Sequence, residues 1–512
     1  MSRGPAPLVE PLDITAEPVE VCAQFLDLPY PLFLDSASQR NHAGDGQPLE
    51  QYSFLAADPV ALIRSKGSTT EIWRGAGWDA VPGDALSVAR SLLPNPPLQH
   101  LDGLPPFQGG IAGYVGYDWG AVLERLPAPR YDDLMLPDVT LGLYDWVIAW
   151  DHRRGEAWLL STGMPEVGPA GERRARGRIE AVRTRLGKRG GDEAGRPVGE
   201  TQARGGRMRE SPISAAPSYP VTDVAGADEI GLRSTFTRRG YLDSVARVRE
   251  YIVAGDIFQA NLSQRFEAGA PSESSFQLYR RLRRHNPAPF SAYFDCGTFQ
   301  ILSASPERFL RLDWNRQVET RPIKGTRPRG LGPMHDAALG RALAESEKDR
   351  AENVMIVDLL RNDLSRVCRP GTVRVPELFA LEHHPTVHHL VSTVVGELDP
   401  ELDAIDLLRA SFPGGSITGA PKVRAMEIIA ELEPTRRAVY CGSIGYISAS
   451  GAMDTSIVIR TCLALRGRIY FQAGGGIVAD SDPELEYRET LDKARGLIET
   501  LVQSHQSTNQ PP

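Results

Sequence analysis

Apolar residues spaced three or four positions apart predict helices in the second half of the chain. Near position 240 the apolar set consists of Leu242, Val245, Val248 and Ile252. This spacing predicts a helix that stops at Gly255. The same period predicts one long helix or two over residues 337–367. A closing helix is predicted over residues 483–502, with proline in its first turn and Ser481 as its cap.

Short apolar runs bounded by turn residues predict strands. Runs at 139–148 and 157–160 flank a turn at 152–155, which predicts a hairpin. Further strands are predicted at 317–320 and 373–381. Three consecutive runs predict a meander near the C-terminus: 439–448, 455–465 and 468–478. Meanders combined with long helices predict an α+β fold rather than a doubly wound sheet.

Composition divides the chain into an N-terminal region (1–165), a linker or insertion (166–234), a C-terminal region (235–505) and a disordered tail (506–512). Within the insertion, residues 171–186 predict a charged helix. Residues 188–219 are rich in Gly, Arg, Glu, Ser and Pro and nearly lack large apolar side chains. Such a segment buries too little surface to offset its ordering entropy, so we expect a flexible linker there.

Overall composition is that of a globular cytoplasmic protein. The chain has 512 residues and a formal net charge of −8, which argues against nucleic acid as the main partner. Five scattered cysteines form no CxxC pair, as expected of reduced thiols. No apolar run approaches the roughly 20 residues that span a bilayer, so no membrane association is expected.

Two pairs of acids have the spacing of one helix face. Asp349 and Glu352 are three residues apart, and so are Glu486 and Glu489 on the closing helix. Together they could hold Mg²⁺, which takes one or two carboxylates with water and a substrate anion. The alternative is that all four are solvated surface acids.

A lysine at position 324 lies in the sequence Pro-Ile-Lys-Gly-Thr, flanked by Arg321 and Arg327. We expect a tight loop there. Apolar cover and two nearby guanidinium groups would favour the neutral, nucleophilic amine. The alternative is a solvated loop lysine.

Glycine-rich turns mark candidate anion sites. Residues 414–422 run into a helix predicted to start at Pro421, where free N–H groups and the helix dipole attract anions. A second cluster, Gly474 to Gly476, ends a strand and allows close approach of a ligand or a tight turn. Arg460, at the end of an apolar strand, could meet a carboxylate or be solvated.

Four histidines form two pairs around Pro385 without zinc spacing: His383, His384, His388 and His389. His389 opens a predicted strand and is the candidate for an acid–base or orienting role. The alternative is a surface histidine at a strand edge.

These segments, in this order, resemble the chorismate-utilising enzymes. The resemblance covers about 235–500, and 1–165 more loosely. It rests on segments at 255–266, 305–309, 322–326, 352–364, 389–392, 419–422 and 486–489. It implies two stacked antiparallel β-sheets with outer helices, and interleaving of the two halves of the chain.

Two positions suggest the branch of the family. Gln259 stands where hydroxylating members carry a lysine, and Lys324 stands where anthranilate-forming members carry an alanine. The resemblance therefore implies that chorismate and ammonia give 4-amino-4-deoxychorismate, on the route to p-aminobenzoate and folate. The alternatives are anthranilate formation and a regulatory subunit that binds chorismate without converting it.

The resemblance also implies roles for individual residues. Lys324 would be the nucleophile and Glu307 the general acid, with His389 as a third catalytic residue. Glu352 and Glu489 would hold Mg²⁺, with Asp349 and Glu486 behind them. The residues expected to bind substrate are Gln259, Thr418, Gly419, Lys422, Tyr446, Arg460, Gly474, Gly476 and Lys493.

Two further expectations concern partners and ligands. No cysteine lies in a Gly-x-Cys-x-Gly nucleophile turn, so a separate glutaminase subunit is expected to supply ammonia. A tryptophan pocket often lies in the N-terminal region of this family. Ser36, Tyr52, Pro289 and Phe290 occupy the matching places, but Asp35 departs from the glutamate usual in feedback-inhibited members.

Overall fold

The protein is described from a computed structural model, which covers residues 4–37, 49, 51–187, 215–384 and 387–508. The strands are β1 (Leu8–Leu12), β2 (Leu32–Asp35), β3 (Tyr52–Ala56), β4 (Ala61–Lys66), β5 (Thr69–Trp73), β6 (Trp78–Val81), β7 (Gly110–Val115), β8 (Val139–Tyr144), β9 (Trp146–Asp151), β10 (Glu156–Ser161), β11 (Tyr219–Pro220), β12 (Arg233–Ser234), β13 (Gln259–Gly269), β14 (Phe290–Asp295), β15 (Gln300–Ser305), β16 (Arg308–Leu312), β17 (Gln317–Thr320), β18 (Ile323–Pro328), β19 (Arg374–His383), β20 (Val387–Glu397), β21 (Gly419–Ala420), β22 (Ser443–Ser448), β23 (Met453–Ile457), β24 (Thr461–Leu465) and β25 (Arg468–Ile477).

Along the chain the helices come between these strands, and in the fold they lie on the outside of the molecule. They are α1 (Pro18–Ala23), α2 (Ala85–Leu92), α3 (Gly120–Leu123), α4 (Gly168–Leu186), α5 (Arg238–Val253), α6 (Ser275–His285), α7 (Pro333–Ala344), α8 (Glu347–Ser365), α9 (Ala404–Ser411), α10 (Lys422–Leu432) and α11 (Pro483–Thr508), with short 3₁₀ turns at Tyr117–Trp119 and Gly415–Ile417.

The strands form two large sheets, and both halves of the chain contribute to each. One sheet has the order β1-β10-β9-β3-β2-β14-β15-β24-β25-β13-β12-β11, with β21 also paired to β13. The other has the order β18-β20-β17-β16-β23-β22-β7-β8-β4-β5-β6, with β19 also paired to β20. All of these pairings between named strands are antiparallel. The predicted α+β fold with interleaved halves is confirmed.

Side chains alternate between the two faces of each sheet, which explains why the sheets stack. In β9, Val147 and Ala149 join an apolar cluster that includes strand residues of both sheets. Trp146, Ile148 and Trp150 join a second cluster with α5, α6 and α11. A third cluster joins the other sheet to α2, α8 and α9. The sheets therefore face each other, and helices cover their outer faces.

The chain passes from one sheet to the other at several points, and two of these points carry candidate site residues. β15 and β16 belong to different sheets and are joined through Glu307. β23 and β24 also belong to different sheets, and Arg460 lies between them with φ +52°. The amide of Ile457 donates to the carbonyl of Glu307 at 3.1 Å, so these two crossings lie side by side.

Several predicted elements need correction at such crossings. The strand predicted at 455–465 is two strands, β23 and β24, so the predicted meander is wrong: β22–β23 and β24–β25 are hairpins in different sheets. The strand predicted at 139–148 likewise divides at Asp145 into β8 and β9. Its hairpin with β10 is confirmed. Apolar content alone does not show where a strand leaves its sheet.

Other element predictions agree with the structure. α5 ends before Gly255, and residues 337–367 contain two helices, α7 and α8, as one of the two alternatives stated. The charged helix of the insertion is α4. Most of the predicted linker, 188–214, lies outside the described residues, and its last residue, Tyr219, pairs with β12 instead of being free.

The closing helix is longer than predicted, and its cap is a different residue. α11 continues to Thr508, so the first residues of the predicted tail are helical, and 509–512 lie outside the described residues. Asp482 accepts the amide of Leu485 at 3.0 Å and serves as the cap. Ser481 instead donates to Glu486. In the described ranges, no helix combines the length and apolarity needed to cross a membrane.

Candidate active site

Glu307 is a buried carboxyl group at the crossing between β15 and β16. Its side chain is 5% exposed. The hydroxyl of Ser416 donates to Oε1 at 2.6 Å, and the amide of Ile323 also bonds to the carboxyl group. Burial outweighs these contacts and raises the pKa of Glu307 to about 7. A carboxyl group with this pKa keeps much of its proton at neutral pH, as a general acid requires.

Lys324 lies in a strand, not in the tight loop predicted for it. It belongs to β18, whose register with β20 shifts between Ile323 and Thr326, and Gly325 has φ +88°. The bulge aims the lysine ammonium at Glu352, with Nζ 2.8 Å from Oε1. Lys324 is 9% exposed, which excludes a solvated loop lysine.

The charge environment predicted for Lys324 is wrong. Arg321 pairs with Glu382 and also donates to Thr393 at 3.0 Å. Arg327 donates to Asp349 at 3.0 Å. Both arginines therefore have their own carboxylates, and the lysine contacts a carboxylate rather than a guanidinium group.

Glu352, on α8, lies where β13, β18 and β25 meet. Its Oε1 accepts from Lys324 and also from Nε2 of Gln259 at 2.5 Å. Burial opposes ionisation, but the nearby lysine and the two hydrogen bonds lower the pKa of Glu352. The carboxylate is therefore an anion, as a metal ligand must be.

Glu489 and Glu486 approach from α11. Nζ of Lys493 is 2.6 Å from Glu489 and donates to the carbonyl of Gly474 at 2.9 Å. Burial opposes ionisation of Glu489, and Lys493 outweighs it and lowers the pKa. Burial raises the pKa of Glu486, which accepts from Ser481 at 2.6 Å.

Two shared lysines place these acids in one group. Lys493 acts electrostatically on Glu307, Glu352 and Glu489, and Lys324 acts on the same three. We call the four acids near these lysines, together with Asp349 beside Gly325, the carboxylate cluster. It consists of Glu307, Asp349, Glu352, Glu486 and Glu489. Asp349 is at its edge, because its carboxylate is paired with Arg327.

The glycines of β25 make room for the cluster. A Cβ at Gly476 would overlap the amide of Gln259 and the carboxylate of Glu352. A Cβ at Gly475 would lie 3.0 Å from Glu486 and 3.1 Å from Glu489. Gly474 and Gly476 face Ser263 and Asn261 of β13 in register. These glycines therefore allow close approach of the protein's own carboxylates, and close approach of a ligand stays a prediction.

Arg460 and His389 complete one side of the site. Arg460 donates to the carbonyl of Lys493, and burial lowers the pKa of Arg460, against the influence of Tyr440 and Glu489. His389 is 7% exposed inside β20 and contacts Thr326 Oγ1 at 2.9 Å. Burial, with His384 and Arg460, lowers its pKa to about 3, so its imidazole is neutral.

The glycine-rich turn at 414–422 is only partly directed at the cluster. Gly419, with φ +151°, pairs with β13 so closely that a Cβ would overlap the carbonyl of Gln259. The Thr418 hydroxyl donates within the turn, to Gly414 O at 3.0 Å. α10 begins at Lys422, one residue later than predicted, and Pro421 is its cap.

Lys422 is held away from the cluster. Its ammonium contacts Asp363 at 2.6 Å and the carbonyl of Ser411 at 2.9 Å. Asp363 follows Glu352 by eleven residues on α8, which is about 16 Å along the helix. Lys422 therefore secures the start of α10 in this structure.

Tyr446 lies in a different region, which corrects its predicted place among the substrate-binding residues. Its ring stacks on Phe107 with centroids 4.6 Å apart. It lines a cavity of about 470 Å³, here called the aromatic cavity, together with Ser36, Tyr52, Pro289 and Phe290. The structure thus assembles the four residues predicted for a tryptophan pocket.

Sequence reasoning missed two residues of the site. Ser416 holds Glu307, and Tyr440 acts electrostatically on Arg460. Ser416 lies within the glycine-rich turn, so the motif gave a signal for it. Tyr440 has no such signal, because it reaches Arg460 only through the folded crossing between β23 and β24.

The carboxylates fit a hard dication through two side chains rather than a complete protein cage. In the chain as described, no three His, Cys, Asp or Glu side chains converge enough to hold a metal ion. Mg²⁺ usually needs one or two carboxylates and completes its shell with water and substrate. Glu352 and Glu489 would supply these two carboxylates, and each contacts the Nζ of a lysine, Lys324 or Lys493.

Comparison with known proteins places this chain in a family. The model of the chorismate binding enzymes matches residues 32–499. Aminodeoxychorismate synthase component 1 of Salmonella typhimurium is 43% identical over 462 residues, covering 90% of this chain and 92% of that protein. The protein of the same name from Escherichia coli is 42% identical over 456 residues, covering 89% and 90%. The crystal structure of anthranilate synthase component I from Streptococcus pneumoniae superposes with a TM-score of 0.72 at 32% identity, covering 90% of this chain and 95% of that one.

Proposed function

The chain belongs to the chorismate-binding enzymes, and from this premise we propose that it is the large subunit of an aminodeoxychorismate synthase. It converts chorismate and ammonia to 4-amino-4-deoxychorismate, the precursor of p-aminobenzoate. Support comes from similarity to proteins of that name over about nine-tenths of the chain. The observation that carries the proposal is the position of Lys324, whose Nζ lies 2.8 Å from Glu352 inside the carboxylate cluster.

A covalent step explains why a lysine occupies this position. The 4-hydroxyl group must leave while an amine arrives at the same carbon, and a nucleophile divides this change into two easier steps. The Lys324 ammonium first loses one proton to water. Its neutral Nζ then bonds to C2 of the ring, both ring double bonds shift, and the C4–O bond breaks. Glu307 gives its proton to the departing oxygen, which leaves as water.

The second step restores the lysine. Ammonia bonds to C4, the double bonds shift back, and the C2–N bond to Lys324 breaks. The new ammonium group then returns one proton to Glu307. The net change is chorismate plus ammonia to aminodeoxychorismate plus water. His389 is neutral and buried, which suits it to orient the substrate rather than to carry charge.

Mg²⁺ would be held by Glu352 and Glu489, with Asp349 and Glu486 behind them. When bound, the ion supplies positive charge to the ring carboxylate and draws electron density from the ring. Gln259 and Lys493 hold these carboxylates in place, with contacts of 2.5 Å and 2.6 Å. Arg460 and Tyr440 face the same space and suit the second carboxylate of the substrate.

The proposed partner is a separate glutaminase that supplies ammonia. The word "component" in the names of the relatives supports a second component. The proposed location is the cytoplasm. All five cysteines are free and buried in the fold, in keeping with a reducing compartment.

The reaction product tests the assignment. The purified chain is incubated with chorismate, Mg²⁺ and ammonium at alkaline pH, with and without an aminodeoxychorismate lyase. We expect p-aminobenzoate only when the lyase is present, and no anthranilate fluorescence. Anthranilate without the lyase would instead assign anthranilate synthesis. Chorismate binding by calorimetry with neither product would indicate a regulatory subunit.

A further inference from the structure

A buried hydrogen-bond pair fixes α8 beside Glu352. The next residue, Asn353, accepts from the hydroxyl of Ser392 on β20 at 2.6 Å. Ser392 in turn accepts the amide of Phe379 on β19 at 3.1 Å, and its own amide donates to the carbonyl of Pro322 at 3.3 Å. Both Asn353 and Ser392 are 0% exposed. The pair therefore ties α8 to the strands that carry Lys324 and His389.

A matching chain of hydrogen bonds fixes α11 beside Glu489. The next residue, Thr490, accepts from Nε2 of Gln264 on β13 at 2.6 Å. Oε1 of Gln264 accepts from the hydroxyl of Ser234 at 2.6 Å. All three side chains are at most 1% exposed. Gln264 faces Ala473 of β25, the strand that also carries the glycines of the site.

In both helices the residue that is pinned immediately follows the acid that points into the cluster. Successive helical residues differ by about 100° around the axis, so fixing one direction fixes the other. Rotating or sliding either helix would separate buried donors and acceptors, which is unfavourable because each group left unpaired stays desolvated. All of these side chains are at most 1% exposed, so bulk solvent is not in contact with them to replace the lost bonds.

We propose that Asn353 with Ser392, and Thr490 with Gln264 and Ser234, are positioning residues that aim Glu352 and Glu489 at a shared metal ion. The proposal rests on the metal assignment of the proposed function. It predicts that removing a hydroxyl group with no direct contact to substrate weakens metal binding, because outer residues that orient ligands typically contribute about 10–100-fold in affinity.

The sharpest test compares two threonines on the same helix. Thr490→Val keeps the shape of the side chain and removes both the bond from Gln264 and the bond that the Thr490 hydroxyl donates to the carbonyl of Tyr487 at 2.7 Å. Thr500→Val is the matched control, because Thr500 is 2% exposed and hydrogen-bonded to Gly496 O at 2.7 Å. It lies ten residues away, about 15 Å along α11. Mn²⁺ binding is titrated by electron paramagnetic resonance with chorismate present and ammonia absent, and folding is followed by thermal unfolding.

We expect Thr490→Val to raise the Kd for Mn²⁺ by about 10–100-fold, and Thr500→Val to leave it within about twofold of the unsubstituted chain. Ser392→Ala should act in the same direction through Asn353. Equal Mn²⁺ affinities for the two folded threonine variants would overturn the proposal. If Thr490→Val does not fold, Ser234→Ala removes the outer bond to Gln264, together with the bond from the amide of Phe236 at 3.1 Å, and an unchanged Kd there would overturn the proposal as well.

A Glu489→Gln arm separates this inference from the metal assignment. Mn²⁺ binding that is insensitive to Glu489→Gln would remove the assignment itself. Binding that is lost in Glu489→Gln but unchanged in Thr490→Val would leave the assignment intact and overturn only the positioning role.

Discussion

Glu307 and Arg308 are neighbours in the chain but belong to two regions, and the surroundings of a buried charged group differ between them. Glu307 lies in the carboxylate cluster, where burial raises its pKa to about 7. Arg308 lines the aromatic cavity and is paired with Glu319 at 2.7 Å and Asp454 at 3.0 Å. Burial alone would lower the pKa of Arg308, but the two acids raise it.

The difference distinguishes the carboxylate cluster, which is suited to catalysis, from the aromatic cavity, whose buried charged groups are already paired. Groups whose pKa is shifted because burial outweighs nearby opposite charges are suited to acid–base and metal-ligand roles. Such groups include Glu307 and Glu486 of the cluster and His389 at one side of the site. Asp35 at the aromatic cavity is engaged by Arg283, Tyr279 and Ser53, so its charge is already compensated. We therefore expect substitutions to affect turnover in the cluster and ligand binding in the cavity.

The largest effect is expected from the two inner acids. Glu352→Gln or Glu489→Gln should reduce turnover about a thousand-fold or more, since a bound dication supplies several kcal/mol of charge stabilisation. Extra Mg²⁺ should restore little. Asp349→Asn should cost less, about 10–100-fold, because its carboxylate is paired with Arg327 at the edge of the cluster. Steady-state rates over a Mg²⁺ series measure this, and near-normal turnover in either glutamine variant would refute the metal assignment.

The next largest effect is expected at Lys324, the proposed nucleophile. Lys324→Ala should slow amination about a hundred-fold or more, the scale for losing one group that acts on the reacting atoms. The variant should remain folded, because Lys324 lies on a bulged strand outside the apolar clusters. Ammonia-dependent formation of p-aminobenzoate with added lyase is the measurement. Full activity would reduce Lys324 to an electrostatic contact.

A smaller, pH-dependent effect is expected at Ser416. Its hydrogen bond favours the ionised form of Glu307, so Ser416→Ala should raise that pKa further. A hydrogen bond to a charged group contributes about 1.5–3 kcal/mol, and one pKa unit is about 1.4 kcal/mol, so the shift is about one unit or more.

The pH dependence follows from the direction of the shift at Glu307. The acid form is present below about pH 7 and is lost as the pH rises through this value. At a fixed concentration of free ammonia, kcat/KM for chorismate should fall above about pH 7, and Ser416→Ala should move that fall to higher pH. If kcat/KM falls at the same pH in Ser416→Ala as in the unsubstituted chain, Glu307 is not the acid.

The smallest effect on turnover is expected in the aromatic cavity. Ser36 donates to the carbonyl of Tyr52 at 2.8 Å and lies beside Phe290 and Tyr446. Ser36→Ala should weaken tryptophan binding, measured by calorimetry, and leave ammonia-dependent turnover within about twofold. A large loss of turnover would mean that cavity and cluster do not act separately. Undetectable tryptophan binding by the unsubstituted chain would reassign the cavity.

Sequence reasoning succeeded where chemistry is local. The i,i+3 acids on α8 and α11 and the glycines of β25 follow from spacing and residue type, whereas Glu307 is identified only through the family resemblance. Sequence reasoning failed where distant segments meet. The partners of Arg321 and Arg327 are Glu382 and Asp349, from other elements, and no local pattern reveals them. Tyr440 and Tyr446 are six residues apart in the chain. Which of the two lies near Arg460 depends on where the chain crosses between the sheets after β23, and in the structure it is Tyr440.

The central claim is that Lys324 bonds to the substrate, and the most direct measurement is mass spectrometry of the trapped intermediate. The chain is incubated with chorismate and Mg²⁺ without ammonia, quenched and digested. We expect the peptide containing Lys324 to gain the mass of chorismate less one water. The gain should be absent in Lys324→Ala and disappear when ammonium is added before the quench. An adduct on a different residue, or no adduct in a preparation that aminates chorismate, would contradict the claim.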